Sequence, residues 1–264
     1  MALDSHVTPL PPKGLFYDDM HVGLRFPSPS GVLLDAGLAS LYTALSGDGL
    51  ALTQDLELCR SVTGQDTLLV NPALVLHVSI GASTVATRNV IGNLFYRNVL
   101  LAQQVHQGIT LRTVTGVLAL ADSRPKPGSA PRGKALLGIQ TRTAGGQIVV
   151  DYERCPLLPC KGEDAPGNTD EIGAAAPDLD LTHFTAAVPS NWQLGALGDH
   201  DEWAVGNVRS DYQRDMVDMA TALVRITHNQ AAVHRDVDAS SYPGRLVYGG
   251  HTVALAQASL NRVL

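Results

Sequence analysis

The sequence predicts an α+β protein in which a helix is followed by an antiparallel meander, and the pattern then begins again. Three observations support this prediction. An apolar stretch at residues 73–85 starts after Asn71-Pro72, four strand-like runs follow it, and helix-forming patterns return after a polar linker. A helix followed by a meander is typical of α+β folds in which the helix lies on the sheet.

The first predicted unit covers residues 14–159. It opens with a short amphipathic segment at 36–45. The apolar helix at 73–85 has a sound start at Asn71-Pro72, because a proline in the first helical position lacks only an N–H that would be unpaired anyway. The predicted strands are separated by Gly-rich or Pro-rich turns and cover residues 99–105, 110–121, 135–143 and 147–154.

A linker and a second, shorter unit are predicted after the meander. Residues 160–177 are rich in Gly, Ala, Pro, Asp and Asn, which is typical of a linker too small and polar to pack. The second unit covers residues 178–264. It contains a helical pattern at 212–226 and a helix at 250–263 that is initiated by the pair Gly249-Gly250.

Composition excludes several classes of function. The chain has 264 residues, of which 45% are hydrophobic, and a net charge of -6. An acidic chain is a poor candidate for binding nucleic acid or an anionic membrane. No segment approaches the roughly 18 apolar residues of a membrane span, and residues 1–13 lack the apolar core of a secretory signal. We therefore expect a cytoplasmic protein that binds neither nucleic acid nor membrane.

The cysteines indicate neither a disulfide framework nor a metal site. Three are present, at positions 59, 155 and 160. An odd number in a chain of this size does not suggest paired cysteines, and the spacing of Cys155 and Cys160 fits neither a CxxC redox pair nor half of a zinc site. We expect no metal ion.

An internal repeat aligns residues that can carry chemistry. Three polar pairs share one offset of 181 positions, namely Asp48 with Asn229, Thr53 with His234, and Asp55 with Asp236. Residues 69–72 correspond to 246–249 at an offset of 177, and each block precedes an apolar helix.

The repeated motifs resemble a known family. The run Ser46-Gly47-Asp48 is similar to the start of the Ser-Gly-Asp-x-Asn-Pro-(Ile/Leu)-His signature of MaoC-like and R-specific enoyl-CoA hydratases. In the second copy, Asn229 and His234 occupy the same frame, and residues 245–251 (RLVYGGH) resemble the second block of the family. The pattern resembles that of the double-hot-dog branch, which contains mesaconyl-CoA hydratase. The resemblance implies two antiparallel sheets, each wrapped around a central helix.

The resemblance also implies a reaction and a set of residues for it. Hydration of an enoyl thioester needs a base for water, a group that positions the water, and a donor for the thioester oxygen. By position, His234 is the acid–base residue, Asn229 orients the water, and Gly249 supplies the N–H. Coenzyme A enters as part of the substrate, so no cofactor is expected. The family implies an (R)-3-hydroxyacyl product.

The neighbours of these residues are expected to bind substrate. Tyr248, Gly250 and His251 surround the start of the second helix, and glycine lets the backbone approach a ligand closely. Arg235 and Arg245 stand beside the motif and are candidates for contacting coenzyme A phosphates. We expect His228 to be a neighbour of the site and His77 to belong to the core.

The first copy lacks two of the required groups. Thr53 cannot act as a base near neutral pH, and Pro72 has no N–H to donate. We therefore interpret the first copy as a scaffold without catalytic function that shapes the acyl cavity.

Two other functions remain open from the sequence. Asn229 stands where most hydratases have Asp, and an amide can orient water but cannot hold a proton, so a protein that binds acyl-CoA without turnover is one alternative. A hot-dog thioesterase is another, although the second helix contains no Asp or Glu.

The second unit is shorter than the first. The first helix is followed by a meander that extends to Pro159, whereas the second ends at Leu264. We expect the second hot-dog to be truncated, so that the apolar residues Val253, Leu255, Ala256, Leu260 and Val263 lose most of their cover. A longer natural protein, or a second chain such as the partner in a homodimer, would supply the strands.

Overall fold

The chain folds as one long antiparallel sheet packed around a central helix, with a smaller helical part beside it. The structure is a computed structural model that describes residues 14–27, 30–124, 128–173, 180–198, 204, 206–240 and 242–264. The expectations for residues 1–13 and for the boundary at 177–178 lie outside the described residues.

The described residues form the α-helices α1 (Ala36–Ser46), α2 (Leu56–Thr63), α3 (Pro72–Ser83), α4 (Thr182–Ala186), α5 (Ala220–Ile226) and α6 (Gly249–Val263). The strands within the same described ranges are β1 (Arg25–Pro27), β2 (Val32–Leu34), β3 (Gly92–Leu101), β4 (Ile109–Asp122), β5 (Arg132–Thr143) and β6 (Ile148–Pro159). The strand order is β1-β4-β5-β6-β3. Strand β2 also pairs with β4, at residues 109–111, whereas β1 pairs with residues 114–116. Every pairing is antiparallel, as the meander predicts.

Helix α3 is the centre of the core. It begins as predicted at Asn71-Pro72, where the Asn71 side chain accepts a hydrogen bond from the Ala73 N–H. Its residues are buried around most of its circumference, and it packs against β4, β5 and β6. A helix that is apolar on all sides belongs in an interior, which explains the continuous apolar run in the sequence.

The second copy packs its helices against those of the first. Helix α5 contacts α1, and α6 contacts both α1 and α3. Leu223, Val224, Val233 and Tyr248 share one apolar core with the first copy. Among the described residues beyond Pro159, no strand occurs, so the single sheet belongs to the first copy.

Two predicted elements differ from the structure. The predicted strand 99–105 is observed as β3, Gly92–Leu101, because pairing with β6 starts at Gly92 and the chain leaves the sheet after Leu101. The predicted helix 212–226 is reduced to α5, Ala220–Ile226. Tyr212, at its predicted start, is 92% exposed. Because short helices depend on tertiary packing, a helical pattern without a surface to cover does not form a helix here.

Part of the predicted linker lies against the sheet. Thr169 forms a bridge with Ala121 near the end of β4. The Asp170 N–H donates to the Leu120 carbonyl, and the Leu120 N–H donates to the Asp170 carboxylate. Residues 167–170 therefore continue the edge that β1 and β2 occupy further along β4.

Candidate active site

A cavity of about 530 Å³ lies between the two copies. Its walls come from α3 and the 3-10 turn Thr84–Thr87 that follows it, from β3, and from the second-copy motifs. Most of the lining is apolar, and the polar side chains in it are few: His77, Thr84, Thr87, Asn93, Tyr96, Arg154, Asn229, His234 and Tyr248. A largely apolar cavity with a few polar groups is the usual form of a small-molecule site.

His234 is held with one ring nitrogen available for chemistry. It ends the 3-10 turn Ala232–His234, and its Nδ1 lies 3.0 Å from the Leu246 carbonyl oxygen. A carbonyl only accepts, so Nδ1 carries the proton and Nε2 is left with a free lone pair. Burial lowers the pKa of His234, and the bond to Leu246 opposes that shift. The neutral imidazole that a general base requires is therefore favoured.

Asn229 is buried beside His234 at the cavity wall. Its Oδ1 accepts a hydrogen bond from the Ala231 N–H at 3.0 Å, and its side chain is hydrogen bonded to the Tyr248 hydroxyl. The loop is fixed from the other copy, because the Gln230 N–H donates to the Thr84 hydroxyl at 2.7 Å. Two groups, the Ala231 N–H and the Tyr248 hydroxyl, thus orient the amide, and Thr84 holds the loop that carries it.

The start of α6 opens into the same cavity. Gly249 and Gly250 line it, and Tyr248 precedes them without a side-chain cap on the helix. The first N–H groups of a helix have no partner within it and lie at the positive end of the helix dipole. A Cβ on Gly250 would lie 2.4 Å from the Tyr248 ring, so only glycine fits beneath that tyrosine.

The remaining predicted substrate residues occupy different places. His251 is buried but does not line the cavity, and neither of its ring nitrogens has a partner in the described part of the chain. Arg235 and Arg245 are exposed and lie outside the lining. His228 is exposed and adopts a left-handed conformation with φ 56°.

The repeat read from the sequence has a counterpart in backbone hydrogen bonds. In the first copy, the Leu69 N–H donates to the Leu52 carbonyl at 3.1 Å; in the second, Leu246 donates to Val233 at 3.0 Å. These residues stand at the same offsets of 177 and 181 positions as the motifs. The backbone around the first-copy motifs is therefore arranged like the backbone around the second-copy motifs. Thr53 and Pro72 stand there at the positions of His234 and Gly249.

Asp48 in the first copy has a structural role. Its carboxylate accepts from the Leu50 N–H at 3.0 Å and from the side chains of Asn71 and Asn261, each at 2.7 Å. Asn71 starts α3 and Asn261 lies near the end of α6. The carboxylate therefore joins the two central helices.

Two basic residues of the cavity lining, His77 and Arg154, were not predicted as part of the site. His77, interpreted from the sequence as core, is buried but lines the cavity, and its Nδ1 lies 3.5 Å from the Tyr248 hydroxyl. Burial, with a contribution from His251, lowers the pKa of His77 to about 4. Arg154 is the second such residue. The alternation along β6 could have found it, because side chains two apart in a strand share a face and Arg154 follows buried Val150 and Tyr152.

The described residues offer no cluster of three metal-ligating side chains. Cys59, Cys155 and Cys160 are free and buried, and burial raises the pKa of the latter two thiols. No described helix is long and apolar enough to span a bilayer.

Known proteins match this chain over most of its length. No family model matches. A protein of Mycobacterium tuberculosis described as having a double hot-dog fold is 36% identical, with 95% of this chain and 77% of that chain covered and a TM-score of 0.81. The beta-methylmalyl-CoA dehydratase of Chloroflexus aurantiacus is 24% identical over 93% of this chain and 72% of its own length. The mesaconyl-CoA hydratase of Cereibacter sphaeroides is 24% identical over 92% and 72%.

A helix wrapped by an antiparallel sheet, with a cavity at the start of a second, repeat-related helix, corresponds to the double-hot-dog fold, although the described residues of the second copy contain no sheet. The solved structure of a putative MaoC-domain dehydratase from Chloroflexus aurantiacus shares this fold, with a TM-score of 0.76 at 22% identity. The chain belongs to the same double-hot-dog family as the Mycobacterium tuberculosis protein, with which it is 36% identical.

Proposed function

We propose that the protein is an acyl-CoA hydratase/dehydratase that adds or removes water across the α,β-bond of an enoyl-CoA thioester. The observation that carries the proposal is the pairing of a neutral histidine with a helix start at one cavity. His234 keeps Nε2 free by donating from Nδ1 to Leu246, and Gly249 and Gly250 line the same cavity. The names of the two relatives that act on CoA thioesters support this reaction class.

The proposed reaction begins with the thioester oxygen at the N–H groups that start α6. Nε2 of His234 takes a proton from water while the water oxygen bonds to the β-carbon, and the α,β π-electrons move toward the thioester oxygen. The N–H groups and the helix dipole stabilise this enolate. The His234 imidazolium then returns the proton to the α-carbon, so that one water is added in total.

Asn229 and the cavity complete the proposed site. The Asn229 amide, fixed by Ala231 and Tyr248, orients the water beside His234. The apolar walls take the acyl chain. Coenzyme A enters as part of the substrate, and the reaction needs no further cofactor. A CoA-dependent reaction of this kind also fits the expected cytoplasmic location.

One observation favours a second function, the binding of acyl-CoA without turnover. Asn229 is an amide where the related signature has a carboxylate, and no Asp or Glu lines the cavity among the described residues. In that case His234 would lack an acidic partner that could share the proton.

The experiment that separates the two functions measures turnover and binding on the same protein. Hydration of crotonyl-CoA and mesaconyl-CoA is followed by loss of the enoyl-thioester absorbance, and binding is measured by calorimetry with saturated acyl-CoA. We expect turnover that His234→Ala reduces by roughly 10²–10⁴-fold while binding is kept. His228→Asn is the matched control, because His228 is exposed and asparagine tolerates its positive φ. Binding without turnover in the unmodified protein would establish the second function instead.

We also propose that this polypeptide associates with another chain through α6. Val253 and Leu260 on that helix are apolar and about half exposed.

A further inference from the structure

Tyr248 stands where the two copies meet, and its ring is fixed in place. The ring folds back over Gly250, where a Cβ would lie 2.4 Å from it, and it contacts the His234 ring with 5.2 Å between centroids. It also contacts the ring of His77, on α3 of the first copy, at 6.0 Å and an interplanar angle of 71°. The Tyr248 hydroxyl is therefore held close to the groups that it meets.

The Tyr248 hydroxyl has one polar neighbour from each copy. In the second copy it is hydrogen bonded to the side chain of Asn229. In the first copy, His77 Nδ1 lies 3.5 Å from it. That separation is longer than the ~2.9 Å of an ordinary hydrogen bond, as is common in an active site without a ligand. The three side chains form a chain of polar contacts from α3 to the loop that precedes His234.

Asn229 determines the role of the hydroxyl oxygen in this chain. Its Oδ1 already accepts from the Ala231 N–H, and the side chain is buried, so Nδ2 also needs a partner. An amide nitrogen only donates, which makes the Tyr248 oxygen its acceptor. The bond with Asn229 lowers the pKa of Tyr248 against the effect of burial, as donation to a phenol oxygen does. The hydroxyl proton is then left for His77.

His77 is able to accept that hydrogen bond. Burial, with a contribution from His251, lowers its pKa to about 4, so the imidazole is neutral and has one nitrogen with a free lone pair. With Nδ1 as the acceptor, Nε2 carries the ring proton. The Tyr42 ring lies 6.0 Å from that of His77, and its hydroxyl has no partner within the described residues. The same region therefore offers an acceptor for the Nε2 proton.

Packing alone does not call for a histidine at position 77. Leu74 and Val78, its neighbours on α3 in the same core, are apolar. An apolar side chain at 77 would fill the space without burying a ring nitrogen, and burying a polar group is costly unless it is hydrogen bonded. The contact with Tyr248 accounts for the histidine.

We propose that His77 is a positioning residue of the active site, which accepts the Tyr248 proton, makes Tyr248 an acceptor for Asn229, and so sets the direction of the Asn229 amide. The inference rests on the proposed function for the reaction, and on these three side chains for the chain of bonds. An amide needs such a device because Oδ1 only accepts and Nδ2 only donates. With Nδ2 held by Tyr248, the second lone pair of Oδ1 is available to the water beside His234. A carboxylate has two equivalent oxygens and needs no such direction.

The first test locates the proton on His77 and does not depend on turnover. Long-range 1H–15N NMR distinguishes the two neutral tautomers of a histidine, and the His77 signals are identified by their loss in His77→Leu. We expect the proton on Nε2, and we expect the Nδ1 signal to shift in Tyr248→Phe because the donor is removed. A proton on Nδ1, or an Nδ1 signal that is the same in Tyr248→Phe, would overturn the inference.

The second test asks whether His77 acts through the amide. His77→Leu should lower kcat by up to roughly 10-fold, the equivalent of one ordinary hydrogen bond, and leave KM nearly unchanged. In the Asn229→Asp background, the same substitution should change kcat little, because a carboxylate only accepts and takes the Tyr248 proton itself. An equal loss of kcat in the two backgrounds would assign His77 to packing and contradict the positioning role.

A conservative variant and a matched control complete the comparison. In His77→Asn, the side-chain oxygen can take the place of Nδ1 as acceptor, so much of the kcat lost in His77→Leu should return. Ser79→Ala is the control, because Ser79 is buried on the same helix but contacts the Thr141 hydroxyl of β5 at 2.6 Å and does not line the cavity. It should lower stability and leave kcat unchanged. No recovery in folded His77→Asn, or an equal loss of kcat in Ser79→Ala, would contradict the inference.

The two tests together separate this inference from the proposed function. The expected tautomer and its dependence on Tyr248, in a protein that turns over neither crotonyl-CoA nor mesaconyl-CoA, would refute the hydratase and retain the orientation of Asn229 by His77. Turnover that His77→Leu lowers equally in the Asn229 and Asn229→Asp proteins would do the reverse.

Discussion

The protonation state of His234 determines when the proposed reaction can proceed. Its burial lowers the pKa below the ordinary value of about 6.5. A base must be neutral to accept a proton, so lowering the pH reduces activity only when it passes through this lowered pKa. We expect the acid limb of kcat/KM to have its midpoint below about 6.5. A rate profile with a midpoint above this value would show that another group controls the reaction.

The amide of Asn229 can be compared directly with Asp48, its counterpart in the first copy. Asp48 accepts from a backbone N–H two residues ahead, and Asn229 Oδ1 accepts from Ala231 in the same way. A carboxylate at 229 keeps this bond and can accept from the Tyr248 hydroxyl. We therefore expect Asn229→Asp to retain or raise turnover and Asn229→Ala to lower it, measured as hydration rate in folded protein. An inactive but folded Asp variant would show that the amide N–H itself is required.

The sequence alone brought His234, Asn229 and Gly249 together, and all three line the cavity. The positions of the side chains around them were predicted less well. The shared offset placed His234 in the frame of Thr53, and the structure repeats the backbone bonds of that frame. It could not show that Arg235 and Arg245 lie outside the cavity lining, because their neighbours along the chain do not fix the position of a side chain in an irregular loop. His77 was assigned to the core from its apolar helix, and its contact with Tyr248 depends on how the two copies pack.

Helix α3 approaches the second copy so closely that one position must be glycine. A Cβ added to Gly81 would lie 1.8 Å from the Thr227 carbonyl oxygen. Gly81→Ala should therefore displace the loop that carries Asn229. We expect a loss of roughly 1–3 kcal/mol in the free energy of unfolding, together with lower turnover. Urea denaturation and the hydration assay measure the two effects.

Gly37→Ala is the control for this prediction. Gly37 also lies in a helix, α1, and the nearest atom to its added Cβ is Asp35 Oδ1 at 3.4 Å. Alanine there should leave stability unchanged or raise it by up to about 1 kcal/mol, because glycine is the weaker helix former. If Gly81→Ala and Gly37→Ala had similar effects on stability, the close approach to Thr227 would not be the reason that position 81 requires glycine.

The bond network of Asp48 predicts a substitution that affects stability rather than chemistry. In Asp48→Ala, Asn71 and Asn261 both lose their shared acceptor at the junction of α3 and α6. We expect the free energy of unfolding to fall by roughly 2–4 kcal/mol. Turnover per folded molecule should change little, because Thr53 and Pro72 cannot complete a site. A loss of turnover as large as that of His234→Ala in folded protein would make the first copy catalytic.

The elements were predicted where apolar pattern and local signals agree. Asn71-Pro72 fixed the start of α3, and the turns between β4, β5 and β6 were placed within a few residues. The helix predicted from Tyr212 failed because periodicity indicates which face a helix would bury but not whether a surface is present to receive it. The edge strands β1 and β2 are three residues each, too short for an alternating pattern to be recognised.

The whole molecule exposes an apolar helix face that predicts association. Leu260 on α6 is 50% exposed and Leu41 on α1 is 53% exposed, which makes them a matched pair. If α6 contacts another chain, Leu260→Glu should shift the sedimentation of the protein toward the monomer, and Leu41→Glu should not. Monomeric unmodified protein, or identical sedimentation of the two variants, would contradict association through α6.

In these polar contacts between the copies, donors of the second copy meet acceptors of the first: Gln230 donates to Thr84, and Asn261 donates to Asp48. Duplication of a gene ordinarily frees one descendant to change while the other keeps the original task. Here that freedom is restricted, because each half supplies hydrogen-bonding groups that the other half needs. The first half carries Thr53 and Pro72 at the positions where the second half has His234 and Gly249. Thr84 and Gly81 contact the loop of the second half that carries Asn229, so substitutions at these two positions are more restricted.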